Sequence, residues 1–140
     1  MDASLEELAR SYTEAWCSGD PARVAGHYAP EGALTINGGE PAKGRAAITE
    51  AARSFMTAFP DMQVLMDGVA VRDDGGAVYR WTLAGTNTGP GGSGHRVRIS
   101  GFEEWTLGAD GLIAGSQGHF DENEYDRQLR DGVEDRPGGS

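Results

Sequence analysis

The feature that most constrains this chain is a change of hydrophobic period at Pro60. Before it, apolar residues recur every three or four positions, the spacing of a helix face. After it they alternate, the spacing of a strand. Leu5, Leu8, Ala9, Tyr12 and Trp16 make one apolar stripe, opened by Ser4 with Glu7 as a capping box and closed by Gly19. Asp20-Pro21 supplies a cap and a first-turn proline for a second short helix, with Val24 and Tyr28 as contact positions and Pro30 as its end. Ala33 to Asn37 reads as a short strand turned by Gly38-Gly39. Ile48, Ala51, Ala52, Phe55 and Phe59 then define a third helix, stopped by Pro60.

Beyond Pro60, Gln63 to Arg72, Ala77 to Asn87, Arg96 to Leu107 and Leu112 to Phe120 read as strands. Asp73-Asp74-Gly75-Gly76 and Gly108-Ala109-Asp110-Gly111 are turns, and TGPGGSG at 88–94 is a flexible hairpin tip. A last short helix follows from Glu122, and 132–140 reads as a flexible polar tail. Helices first and strands afterwards predict an α+β fold, a curved antiparallel sheet wrapped on N-terminal helices, in a single domain over residues 1–131. The concave side of such a sheet forms a cone-shaped cavity suited to a small apolar ligand.

The charge balance narrows the partners. Among 140 residues, 22 Asp and Glu outnumber 12 Lys and Arg, giving a net charge of −10. Nucleic acid and anionic membrane both need clustered basic side chains, so neither is expected as a partner. Cys17 stands alone, which excludes an intramolecular disulfide and a cysteine metal cluster. The opening MDASLEELARSY lacks the basic and apolar regions of a signal peptide, and no apolar run approaches the roughly 20 residues that span a bilayer. A cytoplasmic protein is the expectation. His27 and His95 have no ligand spacing with His119 and Asp121, so no metal site is expected.

Candidate site residues are the polar groups on apolar faces. In the third long strand Val97, Ile99, Gly101, Glu103, Trp105 and Leu107 share the apolar face, which places a carboxyl among core residues. Burial favours its neutral form, so Glu103 is a proton donor or an acid satisfied by a backbone amide. Tyr12 lies within the first apolar stripe, and its hydroxyl needs a partner. Along IAGSQGHFDENEYDRQL, alternation sets Gln117, His119 and Asp121 on one face, but neither face is strongly apolar, so periodicity does not decide which points inward. Asp121 followed by Glu124 is also an N-cap signal worth about 1 kcal/mol, so capping and catalysis both stand as readings of it.

Taken together, SGDPARVAGHYAPEGAL, KGRAAITEAARSFMTAFPD, FEEWTLGADGLI and SQGHFDENEYDRQL resemble the nuclear transport factor 2-like superfamily, and within it the SnoaL-like polyketide cyclase family, over roughly residues 4 to 131. The resemblance implies a cystatin-like α+β barrel and a homodimer. It puts Tyr12 and Glu103 where ketosteroid isomerases hold an oxyanion, an arrangement that is one of the standard examples of pKa tuning. The isomerase base would fall near Ile36 or Asn37, which cannot serve. Asp121 matches the cyclase acid/base, with His119 a candidate pocket histidine. The implied chemistry is free of metal and cofactor, an aldol-type cyclisation or isomerisation of an apolar carbonyl compound. Protonated Glu103, Tyr12 or Gln117 would steady the oxyanion, with Trp16, Tyr28, Phe55, Phe59, Trp81 and Trp105 around the substrate. A non-catalytic ligand-binding domain, or an epoxide hydrolase or dehydratase using two converging carboxylates, are the alternatives.

Overall fold

The computed structural model describes residues 3–108 and 110–133. The elements are α1 (Ala3–Cys17), α2 (Pro21–Ala25), β1 (Tyr28–Ile36), β2 (Ala42–Lys43), α3 (Gly44–Ala58), β3 (Gln63–Val71), β4 (Ala77–Thr86), β5 (Arg96–Leu107), β6 (Ile113–Phe120) and α4 (Glu122–Asp131). The change of period at Pro60 thus falls between α3 and the four long strands β3 to β6, although β1 and β2 precede it and α4 follows them. Leu5, Ala9, Tyr12 and Trp16 on α1, with Ile48 and Ala52 on α3, are buried as their spacing requires. No helix among the described residues is long and apolar enough to cross a membrane.

The six strands form one curved, unclosed sheet in the order β2-β1-β6-β5-β4-β3. All neighbours are antiparallel except β1 and β6, which run parallel, so the sheet is mixed where alternation had suggested a purely antiparallel one. α1 packs against β3, α3 against β1, and α4 against β5, leaving the core between helices and the inner sheet face.

Three local differences from the expected layout have clear causes. α2 stops at Ala25, where the Gly26 N–H returns to the Ala22 carbonyl and the His27 N–H to the Val24 carbonyl. Tyr28 and Pro30 therefore belong to β1, whose register is irregular between Tyr28 and Ala33. A proline fits there because the irregular stretch does not demand its missing N–H. The two-residue β2 is too short to show any periodicity. At the far end, the Gly132 N–H caps α4 on the Gln128 carbonyl and the Val133 N–H donates to the Arg96 carbonyl, so the first two residues of the expected tail are tied to α4 and β5 respectively. Positions 134–140 of that tail lie outside the described residues.

The most consequential departure is a bulge in β6. Leu107 pairs with Ile113 but Thr106 pairs with Gly115, so Ala114 is an extra residue on the β6 side. One extra residue reverses which side chains face the core. Ile113 is buried, and after the bulge Ser116 and Gly118 are buried in turn. Gln117 and His119 are displaced to the other face.

Candidate functional site

Concave curvature and the covering helices leave a cavity of about 60 Å³. Its wall is almost wholly apolar: Trp16 from α1, Phe55 from α3, Trp81 and Leu83 from β4, Ile99 from β5, and Phe120 beside Tyr125. Glu103 is the one charged side chain on that wall among the described residues. Inward alternation along β5 brings it there, between Gly101 and the fully buried Trp105.

The Glu103 carboxyl is 7% exposed and held by three donors. Ser116 Oγ donates to Oε1 at 2.7 Å, Trp105 Nε1 at 2.9 Å and Tyr12 Oη at 3.1 Å. The Tyr12 hydroxyl also lies 3.2 Å from Oε2 and 2.8 Å from the Tyr28 hydroxyl. Trp105 reaches Glu103 because residues two apart on a strand share a face. Burial raises the Glu103 pKa above its ordinary 4.5, although the bonds from Ser116, Trp105 and Tyr12 pull the other way. Burial and then the neighbouring Glu103 charge hold the Tyr12 and Tyr28 phenols well above their ordinary 10.0, so both stay protonated. The result is a carboxyl that holds its proton more tightly than it would in water, fixed in an apolar chamber where it can give that proton to a ligand oxygen.

The residues expected around the substrate divide into three groups. Trp16, Phe55 and Trp81 line the cavity. Tyr28, Phe59 and Trp105 are fully buried behind it: Tyr28 bonds Tyr12, Phe59 packs edge-on against Tyr125, and Trp105 stacks on Tyr79 with ring centres 4.9 Å apart. Gln117 and His119 are the correction. The bulge at Ala114 sends them outward, where Gln117 is exposed and His119 bonds Glu104 at 3.0 Å and lies over Phe102.

Asp121 is exposed at the start of α4, outside the cavity wall, and its Oδ1 accepts the Glu124 N–H at 3.1 Å. Asp121 thus caps α4. Its neighbours Phe120 and Tyr125 do line the cavity, so the cap holds the start of a helix that shapes the wall. Glu103 and Asp121 thus do not share one chamber, and the paired-carboxylate arrangement of an epoxide hydrolase is not formed by them. Among the described residues no group of three His, Cys, Asp or Glu side chains could hold a metal ion.

Sequence reasoning missed Ser116, Leu34, Ile36 and Tyr125. Leu34 and Ile36 carried a signal, since they alternate in an apolar strand, whereas Ser116 was hidden by the bulge. Asn37 is a third kind of miss. It holds a left-handed φ of 51°, accepts the Phe120 N–H at 2.9 Å through Oδ1, and leaves its Nδ2 buried without a partner.

The profile of the SnoaL-like domain matches residues 9–116. No curated protein matches the chain. Among solved structures, TsrD from Streptomyces laurentii is 28% identical with a TM-score of 0.78, over 92% of this chain and 97% of that one. The epoxide hydrolase/cyclase-like enzyme SalBIII, described in pyran ring formation in the polyether salinomycin, is 20% identical with a TM-score of 0.72, over 85% and 92%. A protein with a ketosteroid isomerase-like fold from Catenulispora acidiphila is 14% identical with a TM-score of 0.77, over 88% and 92%. The last two likenesses are of fold.

Proposed function

The chain belongs to the SnoaL-like domain family, and from that premise we propose that it converts a small, mostly apolar carbonyl compound by acid-assisted isomerisation or intramolecular cyclisation, with Glu103 as proton donor. The observation that carries this reading is the buried Glu103 carboxyl, alone of its charge type on an apolar cavity wall among the described residues and holding its proton more tightly than it would in water. In such a site Glu103 gives its proton to the substrate carbonyl oxygen as a hydroxyl or enol of the same molecule attacks the carbonyl carbon. The attacking group's proton then returns to the carboxylate, so the acid is restored and no other reagent is consumed. Closure within one bound molecule gains the advantage of an oriented, effectively unimolecular reaction. Tyr12 and Ser116 act on Glu103 rather than on the substrate, fixing the carboxyl. Asp121 acts as a positioning residue through α4, which carries Tyr125.

The cavity limits the size of the substrate. An apolar cavity of ~150 Å³ takes up benzene, so a ligand seated in about 60 Å³ is narrow or extends through the mouth. The decisive variant is Glu103→Gln, which keeps the shape and the acceptor for Ser116 and Trp105 but has no acidic proton. Turnover of hydroxyketones able to close on themselves should fall by about 10²–10⁴-fold, the usual contribution of a general acid. Full turnover in this variant would refute the proton-donor role and leave ligand binding as the function of the cavity.

A further inference from the structure

Two inner-face glycines flank Glu103, and they lack a side chain for different reasons. Gly101 stands two residues before it on β5, and Gly118 is its partner across the sheet on β6. A Cβ on Gly101 would run into the His119 carbonyl oxygen and stand 2.6 Å from the Trp81 Cζ2, so the protein itself fills that position. A Cβ on Gly118 would lie 3.6 Å from the Thr35 carbonyl oxygen, 3.7 Å from Glu103 Cγ and 3.9 Å from Ile36 Cγ1. These are ordinary contact distances, so Gly118 has room for a methyl group that the protein does not use.

The backbone does not require glycine at 118 either. Its φ is not positive, so the strand conformation there suits any residue. Glycine is a costly choice for a strand interior, because it loses the most backbone freedom on folding and packs nothing. It commonly marks a bulge, or a place where another backbone or a ligand comes close. The β6 bulge lies back at Ala114, and the nearest other backbone atom, the Thr35 oxygen, stays at ordinary contact. A ligand is the reading that remains. The direction agrees with it: the bare α-carbon points at Glu103 and Ile36, and all three residues line the same cavity.

We infer that Gly118 is a specificity-determining residue, whose bare backbone seats the carbon substituent beside the ligand's carbonyl while the carbonyl oxygen meets Glu103. This rests on the reading of Glu103 as the group that meets the ligand's oxygen. Glu103 and Gly118 are directly opposed on neighbouring strands, so a ligand oxygen at the carboxyl brings the carbons on either side of the carbonyl within reach of Gly118. The ligand class is then a ketone branched at the carbon next to the carbonyl. Its extra methyl takes the room that an alanine side chain would occupy.

The test compares 3-methylbutan-2-one with pentan-2-one, isomers of which only the first is branched beside its carbonyl. Methyl signals of Leu83 and Ile99 in the whole protein report filling of the cavity and give a dissociation constant for each ketone. Gly118→Ala should weaken the branched ketone about 10-fold more than the linear one, the low end of what one methyl is worth in an apolar pocket. The variant should also melt at or above the parent temperature, because nothing in the fold needs glycine there. If it weakens the linear ketone as much as the branched one, the inference is overturned and the role of Glu103 stands on its own turnover test. A variant that melts clearly below the parent, or does not fold, overturns it as well, since glycine is then a structural requirement. If neither ketone moves the methyl signals of the parent, the cavity does not take such compounds and both readings fall. A selective loss in Gly118→Ala beside unchanged turnover in Glu103→Gln upholds the inference and rejects the proton-donor role.

Discussion

Glu103 and Glu104 are the same amino acid one position apart on β5, and they lead opposite lives. Glu103 points inward, 7% exposed, bonded to Ser116, Trp105 and Tyr12, with its proton held more tightly than in water. Glu104 points outward with its side chain 35% exposed, 3.7 Å from the Arg72 guanidinium and 3.0 Å from His119. The alternation of a strand is the whole difference between them. It turns one carboxyl into an acid candidate and the other into a member of a solvated ion-pair cluster. The contrast teaches that chemistry in this fold is assigned by face before it is assigned by residue type.

Four measurements would break or sharpen that contrast. The largest expected effect is on turnover, where Glu103→Gln should lose about 10²–10⁴-fold and Glu104→Gln should stay near the parent; equal losses would end the distinction. Next in size is stability. Glu103→Ala leaves the Ser116 and Trp105 donors buried without an acceptor, and it should cost about 3 kcal/mol in denaturant unfolding. Glu104→Ala should cost under ~1 kcal/mol, as exposed ion pairs do.

The third measurement is the pH dependence of stability. Glu103 has a folded-state pKa above its ordinary 4.5, so the folded protein holds this proton more tightly than the unfolded chain does. Its contribution is fully present below pH 4.5 and is lost as pH rises through the folded-state value. Melting temperatures of the parent minus those of Glu103→Gln should therefore fall as pH is raised from 4.5, and a flat difference would show that Glu103 ionises normally. The corresponding difference for Glu104→Gln should not carry this slope.

The smallest effect tests the boundary between the two faces. Asp121→Ala should destabilise by about 1 kcal/mol through loss of the α4 cap, and Asp121→Asn should retain most of that because asparagine caps comparably. If Asp121→Asn folds and caps yet abolishes turnover, then Asp121 has a chemical role that its capping geometry does not account for.

Much of the fold was legible. The stripes of α1 and α3, the four long strands after Pro60 and the Asp121 cap follow from period and capping rules, because these express local backbone geometry. The site was legible in part. Glu103 stood out as a carboxyl in an apolar row, and Tyr12 as a hydroxyl in an apolar stripe. Their meeting could not be read, because 91 positions separate them and only the folding of α1 over β5 brings them to 3.1 Å. Gln117 and His119 were expected at the pocket from resemblance, because neither face of their strand is strongly apolar and alternation does not decide which one points inward; the extra residue at Ala114 turns them outward.

By itself, then, the sequence determined where helices yield to strands, that a carboxyl would lie among core residues of β5, and that Asp121 could start a helix. These depend on spacing along the chain, which the residues state directly. Tertiary structure alone decided that β6 bulges, that Ser116 rather than Gln117 meets Glu103, and that Gly118 lies opposite Glu103 across the sheet. Those outcomes depend on strand register, where a shift of one residue exchanges the inside of the sheet for its outside.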